Sequence, residues 1–273
     1  MAAVSVVIPC YCCSKTIKRS LQSIENQILK PAEVILIDDA SGDGTLAVLQ
    51  ALENEYPNWI KVIALEKNAG AASARNAGWA IASQPYIAFL DADDSWHVDK
   101  LRIQFEYMTA NQDAVLSGHQ CVVLEDKPPL PKIEEDYAVT EINGRSLLMR
   151  NAFSTPTVML KRDIAFRFKY GKRHAEDLLL WQQIAFAGLR VVRLECPLAY
   201  VHKPLFGVGG LSANLWKMEK GELSNLVILY RSGLIGVLSY CGAAIFSLAK
   251  FARRIAISKF RAFDRKMPES GRF

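Results

Sequence analysis

Four short apolar runs, Val4–Pro9, Val34–Ile37, Lys61–Leu65 and Tyr86–Leu90, are separated by stretches in which apolar residues recur at helical spacing. An uninterrupted apolar run of this length suits a strand buried on both faces, and regular strand–helix–strand alternation makes a parallel sheet with helices over both sides. The intervening helices are marked by Ile17, Leu21, Ile24 and Ile28, by Leu46, Leu49 and Leu52, and by Ala72–Ala82, with Pro31 ending the first. After Asn111 the alternation loosens. A strand is expected over Ala114–Leu124, then a loop with Pro128, Pro129 and Pro131, and a helix over Asn143–Arg150. Another helix starts beside Glu176, and a strand over Val191–Val201 is broken at Pro197. At 273 residues the chain holds one large α/β domain and an accessory element, with no internal repeat.

In open parallel sheets, ligands bind beyond the carboxyl ends of the strands. Three polar clusters fall at such ends: Pro9-Cys10-Tyr11, Asp38-Asp39, and Asp91-Ala92-Asp93 followed by Asp94. Crowded carboxylates raise one another's pKa and require a compensating cation. A divalent ion such as Mg²⁺ or Mn²⁺, which binds one or two carboxylates together with substrate phosphates, meets that need. Capping of a helix over Trp96–Asn111 would account for one of the three acids and leave two unexplained.

Competing chemistries are weaker. Gly42-Asp43-Gly44-Thr45-Leu46-Ala47 matches a dinucleotide fingerprint, but Asp38, Asp39 and Asp43 surround it with charge that repels a pyrophosphate. A turn before a helix explains it better. The six cysteines, Cys10, Cys12, Cys13, Cys121, Cys196 and Cys241, lack zinc spacing and are expected as reduced thiols. The formal charge of +5 is concentrated in Lys250–Phe273, which carries a local +6, so the body has no nucleic-acid signature. Met1-Ala2-Ala3 before a strand does not read as a secretory leader.

Four blocks in order carry a family resemblance: Val6-Val7-Ile8-Pro9-Cys10-Tyr11, Ile37-Asp38-Asp39-Ala40-Ser41-Gly42-Asp43-Gly44-Thr45, Asn68-Ala69-Gly70-Ala71-Ala72-Ser73-Ala74-Arg75-Asn76, and Leu90-Asp91-Ala92-Asp93-Asp94-Ser95-Trp96. With His174-Ala175-Glu176-Asp177-Leu178-Leu179-Leu180-Trp181, the set resembles the inverting glycosyltransferases of family 2, over about Val4–Leu211. The resemblance implies an α/β GT-A fold with a mostly parallel sheet. It implies a nucleotide-sugar donor, a UDP-sugar by default, bound by Pro9, Tyr11, Asp39, Arg75, Asp91 and Ala92. Tyr11 would lie against the base, Asp39 would accept a hydrogen bond from base or ribose, and Asp91 would meet the ribose. Arg75 reads either as a phosphate or base contact or as a helix residue in a surface ion pair. Mg²⁺ or Mn²⁺ would sit on Asp93, with Asp91 and His202 as further candidates, although His202 equally suits a structural role. Asp177 would be the general base, with Glu176 beside it, activating an acceptor hydroxyl of a glycan or lipid-linked saccharide. The chain departs from the family at Cys12, where Asn is usual. Transfer to polyprenyl phosphate, or a scaffold that binds nucleotide sugar without catalysis, are the alternatives.

The tail is expected to be a helix with Leu234, Leu238, Cys241, Ile245, Leu248, Ala252, Ile255, Ala256 and Phe263 on one face. Lys250, Arg253, Arg254, Arg261 and Arg265 fall mostly opposite, with Lys259 and Lys266 as exceptions. That pattern suits a helix lying on an anionic membrane surface rather than crossing it; packing against the body is the alternative. The expected organisation is a catalytic domain over 1–222, divided into a donor half (1–111) and an acceptor half (112–222), and a membrane-associating tail over 223–273. Its expected place is the cytoplasmic face of the inner membrane, as a peripheral protein, or the cytoplasm.

Overall fold

The structure, a computed structural model, describes residues 1–124, 133, 136–202 and 214–264, the last nine by backbone alone. The first half alternates as β1 (Ala2–Cys10), α1 (Ile17–Glu25), β2 (Pro31–Asp38), α2 (Thr45–Glu55), β3 (Ile60–Ala64), α3 (Ala71–Ile81) and β4 (Tyr86–Phe89). Then come β5 (Ser95–Trp96), α4 (Lys100–Ala110), β6 (Ala114–Val123), β7 (Val139–Glu141), α5 (Gly144–Met149), a 3₁₀ turn (Thr155–Thr157) and β8 (Met159–Lys161). The chain continues with α6 (Glu176–Phe186), β9 (Arg190–Val201), α7 (Leu215–Arg231) and α8 (Val237–Asp264).

The sheet order is β3-β2-β1-β4-β8-β6-β9-β5, with β7 added on β9. Strand side chains alternate faces, so the apolar runs feed two cores. Val4, Val6, Ile8, Val34 and Leu36 pack beneath α1, α2 and α4, while Val7, Ile35, Ile37, Ile87 and Phe89 pack against α3 and α6. Helix α3 lies so close to the sheet that a Cβ on Gly78 would sit 2.6 Å from both Val7 and Ile37. Glycine permits that approach, which seats α3 closely on β1 and β2.

The first four strands are parallel, as the alternation predicts. The second half is mixed: β8 runs antiparallel between β4 and β6, and β5 runs antiparallel to β9. At three residues, β8 is too short for a periodic signal. The helix expected from Trp96 begins instead at Lys100, because Ser95 and Trp96 pair with Tyr200 and Ala199. None of Asp91, Asp93 and Asp94 caps it. Pro197 does not break β9, since β9 bulges around it, with extra residues on either side of the Gln120–Pro197 pair. Ile28 lies beyond the end of α1 and is 64% exposed, although the spacing placed it on the buried face.

Helix α7 runs unbroken through position 222, and α8 folds back on it. Leu226, Leu229, Ile235 and Ala243 form a third apolar cluster with Leu148 and Leu179. The side of α8 bearing Ala243, Ser247, Lys250 and Arg254 faces the body: Ser247 donates to Glu219 (2.7 Å), and Lys250 and Arg254 pair with Glu222 (3.2 and 3.3 Å). Two cations expected on the free side of the tail therefore turn inward. The stripe of Leu238, Cys241, Ile245 and Leu248 stays exposed. Among the described residues no helix is long and apolar enough to cross a membrane. The Pro128/Pro129/Pro131 loop, Leu211, Arg265 and Lys266 lie outside the described residues, and the side chains of Ala256, Lys259, Arg261 and Phe263 are not described.

Candidate active site

The carboxyl ends of β1, β2 and β4 open into one cleft of about 1080 Å³, large enough for a nucleotide sugar. Tyr11, Asp39, Arg75, Asp91, Asp93 and Asp177 all line it. The structure thus brings together residues spread over more than half the chain, including both members of the Glu176-Asp177 pair.

The donor end is built from oriented backbone. Asp39 is 3% exposed, and its two carboxylate oxygens accept from Ala69 N (2.7 Å) and Gly70 N (2.8 Å) on the loop entering α3. Each oxygen retains further acceptor capacity, and the residue lines the cleft. Tyr11 projects with 56% of its surface exposed, as a free aromatic face would. Cys12 takes φ +48°, the left-handed region that Asn tolerates far better than most side chains, and its N–H is fixed by Ser41 Oγ at 3.0 Å. The family's usual Asn is thus replaced without losing the turn. The Gly42–Ala47 motif stands outside the cleft: Asp43 accepts from Thr45, whose Oγ1 in turn accepts from the N–H groups of Cys13 and Ser14. All six cysteines are free.

Arg75 is a buried residue of the cleft wall and not a surface one. Its guanidinium is buried, with one nitrogen on Asp91 Oδ1 (2.8 Å) and another on Glu176 Oε1 (3.1 Å). Buried ions persist where they are paired and hydrogen-bonded, and here one cation joins the end of β4 to the start of α6. Asp177 follows on the first turn of α6. Its Oδ1 accepts from Leu178 N (2.7 Å) and its Oδ2 from Asn151 Nδ2 (3.2 Å). Deep placement in the cleft and the adjacent negative charge of Glu176 push the Asp177 carboxyl up to about 6, against the opposing pull of Leu178 N–H, Arg75 and Asn151. A carboxylate tuned near neutrality is suited to proton transfer.

At the other end of the cleft, Asp94 is buried and structural. Its carbonyl accepts from Ser20 Oγ (2.7 Å) and its Oδ1 from His202 N (3.3 Å). Asp93 is half-buried against the cleft, and its carbonyl accepts from Arg19. His202 lies close enough to feel the Asp93 charge, while its Nε2 meets Ser95 Oγ at 2.7 Å. Among the described residues no three His, Cys, Asp or Glu side chains converge on one ion. Asp93 lines the cleft and His202 is not among its lining residues; a carboxylate so placed suits an ion that completes its shell with substrate oxygens.

Asn151, Met218, Glu222 and Arg254 also line the cleft and were not anticipated. Asn151 sits in an irregular loop with no pattern to mark it. The other three come from α7 and α8, whose helical periodicity signalled an apolar face and not a wall of this site.

Similarity to known proteins agrees with this geometry. The family model described as "Glycosyl transferase family 2" matches residues 5–170. The putative teichuronic acid biosynthesis glycosyltransferase TuaG of Bacillus subtilis (strain 168) is 32% identical over 219 residues, covering 80% of this chain and 84% of that protein. The Escherichia coli UDP-Glc:alpha-D-GlcNAc-diphosphoundecaprenol beta-1,3-glucosyltransferase WfaP is 29% identical over 228 residues, 80% of this chain and 82% of that one. S. aureus TarS 1–349 in complex with UDP superposes with a TM-score of 0.65 at 18% identity, covering 98% of this chain and 76% of that chain. Mannosyltransferase PcManGT from Pyrobaculum calidifontis, in complex with GDP-Man and Mn2+, superposes at 0.64 and 18% identity, covering 96% and 81%. With the expected blocks gathered at one sheet edge and the family model spanning most of the chain, this protein belongs to glycosyl transferase family 2 and is a glycosyltransferase of GT-A fold.

Proposed function

We propose that this enzyme moves a sugar, with inversion, from a UDP-sugar to a hydroxyl of a lipid-linked or surface-polysaccharide saccharide, with Asp177 as general base. The observation that carries the reading is the Asp91–Arg75–Glu176 bridge, which ties the nucleoside end of the cleft to the raised carboxyl of Asp177. The base takes the acceptor proton as the acceptor oxygen attacks the anomeric carbon and the nucleoside diphosphate departs from the opposite face. Pro9, Tyr11, Asp39, Asp91 and Ala92 hold the nucleoside side of the donor, and Glu176 keeps Arg75 in place. Asp93, with His202 near it, would hold Mg²⁺ or Mn²⁺. Such an ion, when bound, supplies positive charge to the leaving diphosphate. Support for donor, acceptor and ion comes from relatives whose names carry UDP, a diphosphoundecaprenol-linked saccharide, and Mn2+.

We further propose that the enzyme works on the cytoplasmic face of an anionic membrane, held there peripherally by α8. The exposed stripe of Leu238, Ile245 and Leu248, with Arg253 and the basic residues that follow Arg254 in the sequence, supports this placement.

The test is thermal stabilisation by UDP-glucose, UDP-N-acetylglucosamine and GDP-mannose with and without MnCl₂. UDP release is then measured with a synthetic GlcNAc-diphospholipid or with polyprenyl phosphate as acceptor. Metal-dependent stabilisation by a UDP-sugar and turnover on the diphospholipid are expected, with loss of donor stabilisation in Asp93→Asn and a milder effect in Asp94→Asn. Turnover on polyprenyl phosphate alone would overturn the acceptor assignment. Cosedimentation with anionic vesicles should weaken in high salt and persist in part. Complete release by salt would rule out apolar insertion.

A further inference from the structure

The loop that delivers Glu176 and Asp177 is gripped from behind by α7. Ala175, the residue before α6, stands at φ +53°, a conformation costly for alanine and therefore imposed by its surroundings. Its carbonyl accepts from Asn225 Nδ2 at 2.8 Å, inside the protein, and Asn225 is fully buried. One turn earlier on α7, Gly221 lies directly under the same loop: a Cβ there would sit 2.7 Å from the His174 carbonyl oxygen. Lys172 Nζ completes the grip by donating to the Gly221 carbonyl at 3.2 Å. Helix α8 holds α7 in turn through the Ser247–Glu219 hydrogen bond.

Asn225 is an odd residue for this place if packing were its whole task. Among the described residues its Oδ1 is buried without a partner, and its helix neighbours Leu226 and Leu229 belong to the apolar cluster. A buried amide with one end unsatisfied is costly, and leucine of similar shape would avoid that cost. Glycine at 221 is likewise unfavourable inside a helix, yet the contact with His174 leaves no room for a side chain.

We infer that Asn225 and Gly221 are positioning residues for the transfer reaction, setting the strained turn that places Asp177 at the acceptor. This inference rests on Asp177 being the general base. It makes the α7–α8 pair part of the catalytic apparatus and not only an attachment.

The test compares the full-length enzyme with Asn225→Leu, Gly221→Ala and Asp177→Asn, using the UDP-sugar selected by the panel above and UDP release as readout. A shift of the base by about 1 Å costs on the order of 10²-fold in rate. Asn225→Leu should therefore lose at least roughly tenfold in kcat, by that same principle, while donor KM and the melting temperature hold or the latter rises. A purely structural Asn225 would leave kcat at the wild-type value in Asn225→Leu, and that result would overturn the inference. Gly221→Ala provides the second variant should Asn225→Leu fold poorly: lowered kcat at unchanged donor KM supports the grip, and wild-type kcat refutes it. Asp177→Asn separates the two levels. If it abolishes transfer while both α7 variants behave as wild type, the base stands and the positioning role falls. If Asp177→Asn retains full turnover, the base assignment falls first.

Discussion

Two acidic side chains at opposite ends of the sheet have been driven in opposite directions. Glu33, near the start of β2, is buried, which by itself would raise its carboxyl. Hydrogen bonds from Lys61 Nζ (2.7 Å), Ser5 Oγ (2.6 Å), and Ser83 N and Oγ (2.7 Å each) overwhelm that and hold it down at about 2. Asp177, at the open end, is also desolvated, but among the described residues it receives Leu178 N and Asn151 Nδ2 and has Glu176 as a neighbour, so it rises to about 6. The first carboxylate is saturated with donors and joins β1, β2, β3 and the α3–β4 turn. The second is left wanting a proton. Stability and proton transfer thus use the same functional group with opposite hydrogen-bond saturation.

The comparison breaks most sharply if Asp177 is not the base. Asp177→Asn should cut turnover by about 10²–10⁴-fold with donor affinity retained, measured as kcat beside the UDP-sugar dissociation constant. Wild-type turnover would leave the raised carboxyl without a role. Next in size is Glu33→Ala, which strands the Ser5 and Ser83 donors and should cost roughly 3 kcal/mol. The melting midpoint should fall by about 6–12 °C while kcat at low temperature stays near wild type. A large loss of kcat in the folded variant would mean that the two ends are not separable.

Titration sharpens the contrast. The rate should fall about tenfold per pH unit below about 6, as the Asp177 carboxylate takes up its proton. The Glu33 contribution is unaffected in that range. Its folded pKa is depressed, so its stabilisation is complete above the unfolded value near 4.5 and is lost only as pH falls toward 2. The smallest effect is the stability of Asp177→Asn. A carboxyl raised in the folded state destabilises that state when ionised, so the variant should melt a few degrees higher than wild type at pH 8 and no higher at pH 4. Equal melting points at pH 8 would show that Asp177 is not under electrostatic tension.

Much of the catalytic half was legible because its signals are local. An apolar run ending in Asp38-Asp39 or Asp91-Ala92-Asp93 is read from adjacent residues, and the parallel alternation then gathers those ends on one edge. The Glu176-Asp177 pair stood out by motif, and the cleft contains it. Boundaries fared worse where pairing overrode propensity: Ser95-Trp96 joined β9 instead of a helix, and Pro197 was tolerated because β9 itself bulges around it opposite Gln120.

What sequence alone determined is the burial pattern, since side-chain periodicity follows from local backbone geometry: two apolar sheet faces, polar strand ends, and an apolar stripe on the last helix. What tertiary structure decided is which charges meet. Arg75 joins Asp91, sixteen positions away, to Glu176, a hundred and one positions away. Lys250 and Arg254 turn inward to Glu222, and Asn225 reaches back fifty positions to Ala175. A helical pattern tells which residues share a face but not what that face meets. Ion pairs and hydrogen bonds form only within a few ångströms, and those distances exist only once strand order and helix docking have brought distant segments together.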